Sequence, residues 1–209
     1  MNVAIDLFNC FVASVKQEAI NLLGYGVLDS CDAKFANRGR ACVLQSILTE
    51  HTLTSLALRK LYETIEPPRV VKFCPQFPCN GRLMDLILTE GGDKYAFEFK
   101  RWQCKDQEDE ILGNDKDYGK LTAFVEECPA RRYGYELIFT VNEDKAMGGA
   151  FRDRRQKQQF YENAYQKLME KYWRCGLKIL EFGNREREDA FTICIYLATL
   201  AGATSALAV

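Results

Sequence analysis

The chain has 209 residues, 47% hydrophobic and 27% charged, which suffices for one well-filled core and predicts a single domain over 1–209. A formal net charge of −1 excludes a globally basic nucleic-acid binder, so any phosphate contact must come from a local patch. Nine cysteines without a CxxC pair, and His51 as the sole histidine, argue against zinc chemistry; the scattered thiols suit a reducing, cytoplasmic setting.

The N-terminal stretch MNVAIDLFNCFVASVKQEA has no basic leader and carries Asp6 early, which argues against a secretory signal. Its apolar spacing predicts a helix over 2–23, closed by Gly24 and Gly26. A loop containing Arg38, Gly39 and Arg40 follows. Residues from about 41 to 65 give the longest helical pattern, with Val43, Leu44, Ile47, Leu58, Leu61, Tyr62 and Ile65 on one stripe and Pro67 and Pro68 as the stop. On a projection of this helix Glu50 falls at the edge of the stripe and His51 nearer its centre. An edge carboxylate can reach a neighbouring sheet, whereas a central histidine reads more naturally as core. A short strand at Val70–Phe73 then leads through a proline-containing loop.

The next stretch, GRLMDLILTEGGDKYAFEFKRW, places Asp85, Glu98 and Lys100 inside two runs that otherwise alternate as strands. Gly91 and Gly92 form a two-residue turn, which sets Glu90 beside Asp93, Asp85 across from Glu98 and Leu83 across from Lys100. The three charges then share one face, and Met84, Leu86 and Leu88 meet Phe97 and Phe99 on the other. Two carboxylates roughly 5 Å apart repel by about 3 kcal/mol at an effective dielectric near ~20, and a divalent cation relieves that. The plainer reading is a solvated charged face on an edge hairpin with an internal lysine–aspartate pair.

After Trp102 an acidic connection, KDQEDEILGNDKD, precedes a helix expected around Tyr118 to Glu127, and YGYELIFTV reads as a strand apolar on both faces. A helix is expected from Phe151 to Tyr172, with strands at Lys178–Phe182 and Phe191–Leu200. Arg152, Arg154, Arg155 and Lys157 crowd the first turn of that helix, against its macrodipole, and are the candidate nucleic-acid contacts; Arg131 and Arg132 extend the same possibility. An ordinary charged helix is the alternative. Phe191 to Val209 carries no charge, and a covered strand with an apolar tail is preferred to a tail anchor, so no membrane association is expected.

Asp85 on one strand, followed across the hairpin by Glu98-Phe99-Lys100, resembles the PD-(D/E)xK nuclease superfamily, with Met84 where the family usually has proline. The order helix, three strands, helix, strand over about 41–142 is similar to that family's core. The resemblance implies an α/β (α+β) fold with a restriction-endonuclease-like core, a mixed central sheet flanked by helices, an N-terminal extension over 1–40 and added helix and strands over 143–209. It also implies metal-dependent hydrolysis of phosphodiester bonds, first of all in DNA. Mg²⁺ or Mn²⁺ would be held by Asp85, Glu98 and the carbonyl of Phe99, with Glu50 as the added helical carboxylate and Lys100 orienting the attacking water. Asp117 and Lys120 occupy the following helix, where family members carry polar residues, and Lys120 is a candidate phosphate contact. His51 is considered because some related viral cap-snatching nucleases use a helical histidine. Nucleic acid is the expected partner, and a homodimer is a further possibility that the sequence leaves open. The alternative is a catalytically inactive nuclease-like protein that binds nucleic acid or serves in assembly.

Overall fold

The computed structural model describes residues 3–24, 48–79, 81–101, 107–143, 163, 165–182 and 191–200. Helix α1 (Val3–Gly24) is followed by α2 (Glu50–Thr64), strands β1 (Val71–Cys79), β2 (Arg82–Glu90) and β3 (Asp93–Arg101), helix α3 (Gln107–Glu126), and strands β4 (Arg132–Glu143), β5 (Arg174–Phe182) and β6 (Phe191–Thr199). A fourth helical run covers residues 165–171. The fold is mixed α/β around a six-stranded sheet ordered β1-β2-β3-β4-β6-β5. Only β3 and β4 run parallel; every other neighbouring pair is antiparallel. That one parallel step requires a crossover, which α3 supplies.

The sheet has an apolar layer on each side. On one, Leu86, Leu88, Phe97, Phe99, Leu137 and Phe139 pack against α1 and α2. Along α1, Leu7, Phe11, Val15, Ala19 and Leu22 recur at helical spacing and are buried; the Phe11 ring lies 5.9 Å from that of Phe99. Arg69 ties this helix to the sheet, donating from Nε to Glu90 at 2.6 Å and from Nη1 to Asp6 at 2.9 Å. On the other side Ile87, Ala96, Ile138 and Tyr196 meet Leu121, Phe124 and Val125 of α3, together with Leu168 and Tyr172. Gly134 lets α3 approach β4 closely: a Cβ there would lie 2.7 Å from Leu200 Cδ1 and 3.3 Å from Leu121 Cβ.

The hairpin register matches the sequence expectation from Glu90–Asp93 through Leu86–Phe97, with Gly91 and Gly92 at positive φ in the turn. Several expectations need correction. Met84 joins the α3 layer rather than the α1 layer, because β1 and β2 are irregular at Gln76 (φ 52°), opposite Asp85, and the alternation slips there. Strand β1 runs on to Cys79 through Pro75 and Pro78, which an edge strand tolerates. The acidic connection is helical from Gln107 onward. In α2 the buried stripe is Leu53, Ala57 and Leu61. His51 is two residues, about 200°, from Leu53 and is exposed rather than central. Tyr62 is 73% exposed and touches the ring of Phe73. Val43, Leu44 and Ile47 of the expected stripe lie outside the described residues.

No helix among the described residues is long and apolar enough to cross a membrane. The expected strand at the charge-free C-terminal stretch is β6, buried between β4 and β5; the tail beyond it lies outside the described residues.

Candidate active site

The ladder between β2 and β3 stops at Leu86–Phe97, and side chains take over where backbone partners would continue. The Asp85 carboxylate accepts the backbone N–H of Phe99 at 2.9 Å, and the Glu98 carboxylate accepts the backbone N–H of Asp85 at 3.4 Å. Two acids thus hold the mouth of the hairpin together, each occupying a gap in the other strand's hydrogen bonding. Alternation along β3 sends Phe97 and Phe99 to the α1 layer and Glu98 and Lys100 toward α3.

Helix α3 meets those two residues with Asp117 and Lys120, one turn apart. Lys120 Nζ donates to Glu98 Oε2 in a very short contact and lies 2.9 Å from Asp117 Oδ1, while Lys100 Nζ donates to Asp117 Oδ2 at 3.3 Å. The result is a chain of alternating charge: Glu98, Lys120, Asp117, Lys100. From the other side, Thr49 caps α2 by accepting the Thr52 N–H at 3.2 Å, which fixes Glu50 as the first helical residue. Glu50 accepts the backbone N–H of Arg101 at 2.7 Å, and Arg101 Nη1 reaches the Leu48 carbonyl.

A further member is Glu136 on β4, the in-register neighbour of Glu98 and fully buried. Its carboxylate accepts the hydroxyl of Tyr172 at 2.5 Å. Sequence reasoning passed over Glu136, although it shows the same signal that marked Asp85 and Glu98, a charge inside an apolar strand run.

Burial, then the like charge of Asp85, pushes the Glu98 carboxyl up to about 8, against a smaller opposing pull from Lys120. Burial likewise lifts Glu136 to about 8, with Asp117 adding to the shift and Tyr172 opposing it. Glu50 is raised too, by desolvation first, although the Arg101 N–H and Lys100 favour its anion. Lys120 loses basicity to burial but gains more from Glu98 and Asp117, ending above the usual lysine value. These shifts agree with one another: Lys120 faces several anions, whereas Glu98 faces one ammonium, two further acids and little water.

The structure brings Asp85, Glu98, Lys100, Glu50 and Lys120 to the open end of the hairpin, together with Asp117 and Glu136. Arg152, Arg154, Arg155 and Lys157 lie outside the described residues, as do Arg38 and Arg40. Arg131 and Arg132 are ion-paired away from the cluster, to Asp93 and Glu127. The donor set suits a hard divalent cation in kind, since carboxyl oxygens crowd a partly buried cluster. Among the described residues no three His, Cys, Asp or Glu side chains are arranged around one point to hold such an ion. Lys120 and the backbone N–H groups of Asp85, Phe99 and Arg101 take up oxygens that a cation would use. No family model, curated protein or solved structure matches this chain.

Proposed function

We propose that this chain is a metal-dependent nuclease that hydrolyses phosphodiester bonds, with DNA as the first substrate to test. The observation that carries the reading is the acid excess at the open end of the hairpin: Asp85, Glu98, Glu50, Asp117 and Glu136 against Lys100, Lys120 and Arg101. A site built only to bind phosphate would be lined with cations, because an anionic pocket repels a nucleic-acid backbone. Burial, the first cause of the raised Glu98 and Glu136 carboxyl values, favours their protonated forms while no cation is bound, and a divalent ion would displace those protons on binding. The run α2-β1-β2-β3-α3-β4, an antiparallel trio followed by a parallel fourth strand, supports the restriction-endonuclease-like core on which this chemistry is expected.

Asp85 and Glu98 are the residues that would hold Mg²⁺ or Mn²⁺, with the Phe99 carbonyl and Glu50 completing the set. Such an ion, when bound, polarises a phosphoryl oxygen and acidifies a coordinated water. The chain's own contributions are positional. Lys100 sits on the same face as Glu98, one turn of the strand pleat away, where its ammonium orients a water and stabilises charge growing on the phosphate. Lys120, once freed from Glu98, has the reach to contact a phosphate oxygen.

A second reading rests on a specific observation. The carboxylates already have internal partners, Lys120 above all, which favours a nuclease-like scaffold that binds nucleic acid without cutting it. One experiment separates the two: plasmid and RNA cleavage with Mn²⁺ or Mg²⁺, with and without chelator, for the native protein and Lys100→Ala. Cleavage that needs the ion and disappears in a folded Lys100→Ala protein supports the nuclease. Retention of nucleic acid in a gel shift, with no cleavage under any ion, supports the scaffold.

A further inference from the structure

We propose that Asp117 is a positioning residue that clamps both lysines of the site, setting the ammonium of Lys100 to orient the attacking water; this rests on the nuclease reading above. Its two oxygens are divided between two elements. Oδ2 takes Lys100 of β3 at 3.3 Å and Oδ1 takes Lys120 of α3 at 2.9 Å. The residue is 8% exposed, so it is no ordinary member of a solvated helix face. Its neighbours on the same helix, Asp115 and Lys116, are exposed.

The arrangement answers a problem that the sequence poses. Lysine carries its charge on a flexible four-carbon stem, and a free ammonium loses rotamer entropy each time it is held for catalysis. Lys100 is a quarter exposed, with a side-chain accessibility of 24%, and Asp117 is its sole side-chain hydrogen-bond partner among the described residues. A single carboxylate arriving from the crossover helix fixes that stem relative to Glu98, because the same carboxylate also holds the lysine seated on Glu98. Packing of α3 across β3 and β4, helped by the close approach at Gly134, keeps the clamp at its distance. Asp117 needs no contact with the substrate for this role. It acts through Lys100.

The test is Asp117→Asn, which keeps the size of the side chain and removes its charge. Steady-state cleavage of a DNA substrate in Mn²⁺ is expected to lose about 10- to 100-fold in kcat, the usual cost of losing a supporting partner. KM and Mn²⁺ affinity, the latter from a calorimetric titration, are expected to stay within about twofold of the native protein. Asp117→Glu, which keeps the charge on a longer arm, is expected to recover part of kcat, and it carries the test should Asp117→Asn fail to fold. Independently of turnover, ¹⁵N NMR of the lysine side chains, with Lys100 assigned through Lys100→Arg, should show a protected ammonium signal that Asp117→Asn removes. An unchanged kcat, or a loss confined to Mn²⁺ affinity, overturns the positioning role. An unchanged Lys100 signal overturns the clamp itself. Native protein that cleaves nothing, with a signal that still depends on Asp117, refutes the nuclease reading and the catalytic role while the clamp stands.

Discussion

Replacing Glu98 with glutamine tests whether the hairpin mouth carries a stability cost in return for its chemistry. The side chain is 2% exposed and its carboxyl is lifted from 4.5 to about 8, by burial first and Asp85 second. A carboxyl whose folded value lies above its unfolded value binds its proton more tightly in the folded protein. Its contribution is therefore fully favourable below about pH 4.5 and is lost as pH rises toward 8. Each pH unit in that window costs about 1.4 kcal/mol for one proton, so the burden reaches roughly 3 kcal/mol by pH 7. Glutamine keeps the shape and cannot ionise; its amide oxygen still accepts from Lys120, at a loss of about 1–2 kcal/mol relative to the carboxylate. The net change at one pH is thus small, and the informative quantity is the slope. Urea denaturation at pH 5, 6, 7 and 8 with chelator present should show the variant gaining on the native protein by about 1 kcal/mol per pH unit. Glu136 remains in both proteins, so its own titration cancels in the difference. Parallel stability curves across that range would refute the argument that Glu98 is held as an overburdened acid.

Other outcomes follow from the same geometry. Lys120→Met removes the ammonium that competes for Glu98, so Mn²⁺ binding by calorimetry should tighten by about tenfold even if cleavage falls. Weaker binding would instead make Lys120 a support of the ion site. Gly134→Ala drives a methyl group into Leu200 and Leu121 and should cost about 1–3 kcal/mol in chemical denaturation. Pairing it with Leu200→Ala should return part of that loss. Arg69→Met cuts the tie among Asp6, Glu90 and the sheet, at about 2 kcal/mol, and should lower Tm by roughly 4–8 °C in calorimetry.

The hairpin and its charges were readable because two independent signals coincided there. A diglycine fixed the loop length, and charges interrupted a period-two apolar pattern, so register and face followed together. Where only one signal existed the reading weakened. The helix bearing Asp117 begins at Gln107, within a run so acidic and so poorly amphipathic that its apolar face could not be seen. The phase of α2 was drawn from a longer helix than the described residues contain, which misplaced His51 and Tyr62. Met84 failed for a different reason: an irregularity at Gln76 has no mark in composition, because glutamine is not a residue expected at positive φ. Glu136 carries the same sequence signal as Glu98, one acid inside a strand that is otherwise apolar on both faces. What sequence alone could not supply was the meeting of β3 with α3, residues 17 to 22 positions apart whose contact depends on the crossover.

Where β2 and β3 part, the amide hydrogens of Asp85 and Phe99 rest on ionisable oxygens in place of carbonyls. Such hydrogens sense whatever those oxygens do. Protonation, ion capture or loss of either carboxylate would change the resonance and the solvent exchange of two backbone amides, so the protein carries its own indicator of occupancy at the open end of the hairpin.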